Sequence, residues 1–323
     1  MASLSWGIIG CGKVCEKKSG PALAGVEGSR LAAVMRRTGN LAEDFAKRHG
    51  VPRWYDTWEG LLSDDEVEAV YVATPNNTHL EPVLAAARAG KHVLCEKPMA
   101  RNTAACQEMI DTCKEMGVIL GVAYYRRAYP TILRAKEMID SGAIGAVKTV
   151  RINDEFPLSH RLDLVHFLCG DAEAVWSKVE PAPPGSHLAE TAVLHVRTLG
   201  GAEGIMNIDW EEHLTPEMLD IEGESGSVVI DDLKGGHLVV RAGGEEREES
   251  FAPLAATHWG LVANFVAHWR GEAPLACDGV EGRKSTVILD IVQELEPGGG
   301  ERPVDYAGRE GADPSASRLK LAD

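Results

Sequence analysis

The sequence predicts an α/β protein of two domains: a doubly wound parallel sheet over residues 1–123, then an α/β domain with a mostly antiparallel open sheet over residues 124–323. Three observations carry this. Short apolar runs of β character alternate with helix-length segments through the first part, the rhythm of parallel strands joined by helical crossovers. Beyond Tyr129 and Pro130 the rhythm changes, and strand-like runs follow one another at spacings too short for intervening helices. The third is length: 323 residues exceed the commonest single domain but suffice for two substantial cores.

In the first domain the predicted strands lie at residues 6–9, 31–35, 69–73, 92–95 and 118–123, and the predicted helices at 17–23, 40–49, 79–89 and 103–116. The strands are largely apolar, as expected where a parallel sheet is covered on both faces. Gly50-Val51-Pro52 stops one helix, and Thr74-Pro75-Asn76-Asn77 opens a loop after the 69–73 strand. In the second domain helices are predicted at 131–141, 160–168, 259–270 and 280–295, with strands at 147–153, 175–179, 192–199, 204–209, 218–222, 227–230 and 237–241. Pro181-Ala182-Pro183-Pro184-Gly185 reads as a loop, and the segment from Pro297 onward has no clear pattern.

Thirty-three Lys and Arg stand against 49 Asp and Glu, a formal net charge of −16 that no long basic cluster offsets. Such a field repels nucleic-acid phosphates and anionic membrane surfaces, so the expected partner is a small neutral or weakly charged molecule. The seven cysteines are odd in number and include no CxxC pair. They read as thiols of a reducing cytoplasm, with neither a disulfide framework nor a metal site expected. No run approaches 18 apolar residues and the first five residues carry no basic segment, which predicts a cytoplasmic chain without leader or anchor.

Gly10-Cys11-Gly12 follows the first predicted strand directly and precedes a helix. Two glycines in that context let the backbone turn tightly and approach a pyrophosphate; the third position of the GxGxxG fingerprint is Cys15, small but not glycine. A dinucleotide-binding Rossmann domain follows. The second strand ends Met35-Arg36-Arg37-Thr38, where an NAD-specific site usually carries Asp or Glu for the ribose hydroxyls. Two guanidiniums and a hydroxyl suit a 2′-phosphate, so NADP(H) is the preferred cofactor, with NAD(H) as the alternative. Lys97, between Glu96 and Pro98, stands at a strand end where ligands of open α/β sheets bind. Its ammonium can donate to a substrate oxygen and stabilise the alkoxide that precedes hydride loss.

The glycine turn, the stretch Ala73-Thr74-Pro75-Asn76-Asn77-Thr78-His79, the stretch Gly90-Lys91-His92-Val93-Leu94-Cys95-Glu96-Lys97-Pro98 and Tyr125-Arg126-Arg127 together resemble the glucose-fructose oxidoreductase/inositol dehydrogenase/MocA family. The resemblance implies reversible oxidation of a secondary hydroxyl on a sugar, cyclitol or related molecule, with Lys97 matching the catalytic lysine. It implies a cofactor shell of Gly10, Gly12, Lys13, Val14, Arg36, Arg37, Thr38, Thr74, Pro75, Asn76, His79, Glu96 and Lys97, and an approach of Tyr125 and Arg127 to the substrate. It also implies a homodimer or homotetramer formed through the second-domain sheet. His160 and Asp163 match the family's acid/base histidine and the aspartate after it, but Phe156 occupies the position of an earlier aspartate. Asp154 or Glu155 can replace that carboxylate. The polyol or ketosugar oxidoreductase is thus the leading reading. An NAD-dependent glycosidase and a nonenzymatic nucleotide sensor stay open as alternatives; Phe156 favours the sensor, and the intact Glu96-Lys97-Pro98 disfavours it.

Overall fold

The computed structural model describes residues 2–153, 158–181, 190–207 and 218–307, and the chain divides into two compact units. The first comprises Met1–Ala128 and Leu254–Thr286, the second Tyr129–Pro253 and Val287–Asp323. This differs from a single cut at residue 123, because the chain returns to its first unit after Pro253. Burial explains the return. Phe265 is fully buried with its ring 5.0 Å from that of the equally buried Trp6, and the Val122 N–H donates to the Cys277 carbonyl at 2.9 Å.

The first unit is built on strands β1 (Leu4–Ile9), β2 (Ser29–Met35), β3 (Arg53–Tyr55), β4 (Ala69–Val72), β5 (His92–Cys95) and β6 (Leu120–Val122). They lie in the order β3-β2-β1-β4-β5-β6 with every neighbouring pair parallel. The chain therefore winds one way from β1 to β3 and the other way from β4 to β6, leaving a crevice at the carboxyl ends of β1 and β4. The strands β1 and β4 are buried along their whole length, as near-continuous apolar runs in a sheet covered on both faces must be. Helices Gly39–His49, Leu80–Arg88 and Thr103–Glu115 match expectation, the last capped by Asn102, whose side chain accepts from the Ala105 N–H at 2.9 Å. β3 and the helix Trp58–Leu62 were not expected; at three and five residues they are too short to show a period.

The second unit holds β7 (Val147–Asn153), β8 (Ala172–Pro181), β9 (Glu190–Thr198), β10 (Glu203–Asn207), β11 (Met218–Gly223), β12 (Gly226–Ile230), β13 (His237–Ala242), β14 (Glu245–Ser250) and β15 (Arg302–Pro303). Their order is β14-β13-β12-β11-β7-β10-β9-β8-β15, and among the described residues only the β7–β10 pair is parallel. The mostly antiparallel open sheet is as the sequence predicts. Alternate residues Leu219 and Ile221, Val228 and Ile230, and Leu238 and Val240 join the core with Leu162 and Val165 of the helix Leu158–Cys169. β14 escaped the sequence reading because Glu-Glu-Arg-Glu-Glu-Ser carries no apolar alternation. Among the described residues it pairs with β13 alone, and charge suits an edge that must not recruit another strand.

Because Phe265 fills the first unit's core rather than the second's, Phe265→Ala should lower the stability of that unit by about 3–5 kcal/mol. Urea unfolding followed by amide exchange on β1 and β4 reads this directly; unchanged protection there would contradict the assignment of Leu254–Thr286 to this unit.

Candidate active site

The turn after β1 is fixed by its own backbone. The N–H groups of Gly10 and Cys11 both donate to the Met35 carbonyl at the end of β2, at 2.9 and 3.0 Å, and the Gly12 N–H donates to the Gly10 carbonyl at 2.7 Å. Gly10 adopts φ +92°, and a β-carbon there would lie 2.9 Å from the Ala73 carbonyl oxygen. Only glycine meets both demands. At Gly12 the situation is the reverse, since a β-carbon would meet nothing nearer than the Gly10 carbonyl at 3.8 Å. The space before Gly12 is left open by the protein, as close approach of a pyrophosphate requires. Beyond it the chain runs through a π turn at Cys15–Ser19 into the helix Gly20–Gly25. Burial pushes the Cys11 thiol up to about 11 and the Cys15 thiol up to about 12, so both stay neutral.

A cavity of about 770 Å³ opens at the crevice, walled by the ends of three strands. Gly10 and Gly12 after β1, Arg36, Arg37 and Thr38 after β2, and Thr74 and Pro75 after β4 all line it, which brings seven residues of the expected cofactor shell to one place. Arg36, Arg37 and Thr38 are exposed, and neither guanidinium enters an ion pair among the described residues. Of the remaining shell residues, Lys13 and Val14 are exposed beside the turn and do not line the cavity. Asn76 opens the tight turn Asn76–Thr78, so that Asn77 and Thr78 face the cavity in its stead; each residue of such a turn rotates the side chain by about a third of a circle. Trp58 and Glu81 also line the cavity. Trp58 was missed because it belongs to the five-residue helix that shows no sequence signal.

His79 and Glu96 take positions inside the protein. His79 is 1% exposed; Nε2 lies 2.8 Å from the Thr74 carbonyl, and Nδ1 lies 3.2 Å from the carbonyls of both Pro98 and Met99. It ties the loop after β4 to the loop after β5. Burial lowers its pKa, against the opposing pull of the Thr74 carbonyl and the Glu96 charge. The Glu96 carboxylate accepts from the Tyr71 hydroxyl, from His258 Nε2 at 3.1 Å and from the Lys97 N–H at 3.0 Å. Burial alone would raise its pKa, but the His258 hydrogen bond and charge, the Lys97 charge and the Tyr71 hydrogen bond outweigh burial and hold it at about 2. Glu96 thus braces the lysine loop and does not line the cavity. Lys97 itself is half-buried.

Arg127 lies 3% exposed in the turn Tyr125–Ala128, with Nη1 donating to the Ala276 carbonyl at 3.1 Å and pairing with Glu281 Oε2 at 3.3 Å. Burial raises the pKa of Glu281, yet Lys284 and Arg127 outweigh it and the net shift is downward. The returning segment therefore engages the guanidinium that the sequence reading directed at substrate. Tyr125 is buried with its ring 4.7 Å from that of His258. In the second unit His160 and Asp163 are 1% and 0% exposed on the helix Leu158–Cys169. Asp154, Glu155 and Phe156 lie outside the described residues.

Residues 4–124 match the family model GFO_IDH_MocA, described as an oxidoreductase family with an NAD-binding Rossmann fold. The match covers the first unit's sheet and the glycine turn, and so concerns the Rossmann domain. An oxidoreductase of Formosa agariphila is 46% identical over 149 residues, which are 46% of each chain. The trans-1,2-dihydrobenzene-1,2-diol dehydrogenase of Mus musculus is 36% identical over 49% of this chain and 48% of its own. The D-xylose 1-dehydrogenase (NADP(+)) 2 of Haloferax volcanii is 36% identical over 50% of this chain and 49% of its own. The chain spans about half the length of the curated relatives it matches. Among solved structures, a levoglucosan dehydrogenase in complex with NADH and L-sorbose superposes with a TM-score of 0.80 at 22% identity, covering 94% of this chain and 100% of its own. At that identity the likeness speaks for the fold. Among the described residues no helix is long and apolar enough to cross a membrane.

The two glycines separate fold from binding. Gly12→Val should unfold at nearly the wild-type temperature yet bind a nicotinamide dinucleotide at least about tenfold more weakly, because its branches fill the space the turn leaves open. Gly10→Val should lose thermal stability as well. Calorimetry with a binding titration on each variant checks both, and tight binding by Gly12→Val would contradict the placement of the pyrophosphate.

Proposed function

We propose that this chain is an NADP(H)-preferring oxidoreductase that moves a hydride to or from a secondary alcohol carbon of a sugar, cyclitol or related polyol. The observation that carries the reading is the meeting of Gly10, Gly12, Arg36, Arg37 and Thr38 around one cavity at the crevice between β1 and β4. The relatives support the substrate class, since their names specify dehydrogenases of a cyclic diol, of xylose and of levoglucosan. One of those names specifies NADP(+), in keeping with two arginines where an acidic residue would select NAD.

Bound in this cavity, the nicotinamide cofactor supplies the hydride acceptor or donor. Gly12 admits its pyrophosphate to the backbone, while Arg36 and Arg37 hold the 2′-phosphate through charge-assisted hydrogen bonds and Thr38 offers a hydroxyl beside them. Lys97 binds the substrate oxygen, holding a proton on Nζ where negative charge grows as the alcohol becomes an alkoxide. His160 accepts the alcohol proton and Asp163 supports the imidazole; both assignments rest on the match of their spacing to the family motif. Assembly as a homodimer or homotetramer belongs to the same proposal.

Lys97→Ala should lower kcat by at least about 10²-fold on any polyol or ketosugar the enzyme turns over, with the dissociation constant for NADPH little changed. Steady-state kinetics with an independent cofactor titration separate the two effects. Near-normal turnover by the variant would end the lysine mechanism.

A further inference from the structure

The Glu96 carboxylate is 8% exposed, and its partners come from distant parts of the first unit. Tyr71 is fully buried in β4 and donates its hydroxyl to Oε1. His258, at 1% exposure, immediately precedes the helix Trp259–Trp269, and its Nε2 reaches the same oxygen at 3.1 Å. Oε2 receives the Lys97 N–H at 3.0 Å. An ionised carboxylate only accepts hydrogen bonds, so all three neighbours act as donors and His258 carries its proton on Nε2. The buried charge is therefore surrounded by groups that keep it ionised, at the backbone of the residue to which the proposed chemistry is assigned.

We propose that His258 and Tyr71 are positioning residues for Lys97: they hold Glu96 as a fixed buried anion, and that anion keeps the neighbouring side chain an ammonium. The inference rests on the reading of Lys97 as the hydrogen-bond donor to substrate, and it extends the site to residue 258, which lies 162 positions from its partner in sequence. Reciprocity supports it. The Lys97 charge lowers the pKa of Glu96, and by the same interaction the Glu96 charge favours protonation of Lys97. The other titratable groups coupled to Glu96 are Cys15 after β1, Cys95 on β5 and His79. Burial keeps both thiols neutral, and an imidazole carries no negative charge in either protonation state, so none of them replaces the anion.

The test reads the amine itself and needs no substrate. Reductive methylation of the full chain across a pH series, quantified at Lys97 by mass spectrometry, gives the protonation midpoint of that one side chain. Glu96→Gln should move the midpoint down by about one pH unit. His258→Leu should move it in the same direction, and His258→Gln, which keeps an amide donor near the Nε2 position, should restore it. A wild-type midpoint in both Glu96→Gln and His258→Leu would overturn the proposal, as would equal shifts in His258→Leu and His258→Gln. Wild-type circular dichroism and a cooperative thermal transition certify that a variant is folded, and if Glu96→Gln fails this the His258 pair decides. Failure of the reading of Lys97 as donor to substrate would show separately, as unimpaired turnover by Lys97→Ala with the methylation shifts intact.

Discussion

Everything at the proposed site depends on how closely two strands can part. Between β1 and β4 the sheet reverses its winding, and the chain must leave both strand ends in different directions while they remain hydrogen-bonded neighbours. Gly10 makes this possible. Its positive φ turns the chain away from β1, and its missing side chain lets the Ala73 carbonyl stand where a β-carbon would be only 2.9 Å away. The Met35 carbonyl receives two N–H groups from the same turn, which locks the end of β2, and with it Arg36 and Arg37, to the glycine loop. A cavity with an open glycine backbone on one side and guanidiniums on another follows from that single close approach.

The second level of order is electrostatic. A carboxylate buried without partners would take up a proton or destabilise the fold. Glu96 instead collects donors from β4, from its own loop and from the segment that returns after the second unit. The loop carrying Lys97 is thereby fixed from below by Glu96, while His79 fixes its far side through the carbonyls of Pro98 and Met99. Neither residue lines the cavity, and both shape what does.

Much of this was legible in the sequence, for physical reasons. Buried parallel strands must be nearly all apolar, so β1, β2, β4 and β5 stand out, and a glycine turn between a strand and a helix has few other uses. Strand-dense patterning revealed the antiparallel sheet of the second unit. What escaped was of two kinds. The short elements β3, β15 and Trp58–Leu62, which have no continuous apolar run, and the glutamate-rich edge strand β14 carry no period to read. Long-range partnership carries none either: nothing near His258 announces that its partner is Glu96, or that Arg127 is met by Ala276 and Glu281. The same blindness placed Leu254–Thr286 with the second domain, because the sequence around it gives no sign that the chain goes back.

The central claim is that this cavity holds a nicotinamide dinucleotide and that Arg36 and Arg37 read its 2′-phosphate. Parallel titration of the purified chain with NADPH and NADH, followed by nicotinamide fluorescence, tests it most directly. The account predicts at least about tenfold tighter binding of NADPH, the scale of one charge-assisted interaction. Equal or reversed affinities would contradict the assignment of the arginines, and binding of neither would contradict the cavity's purpose.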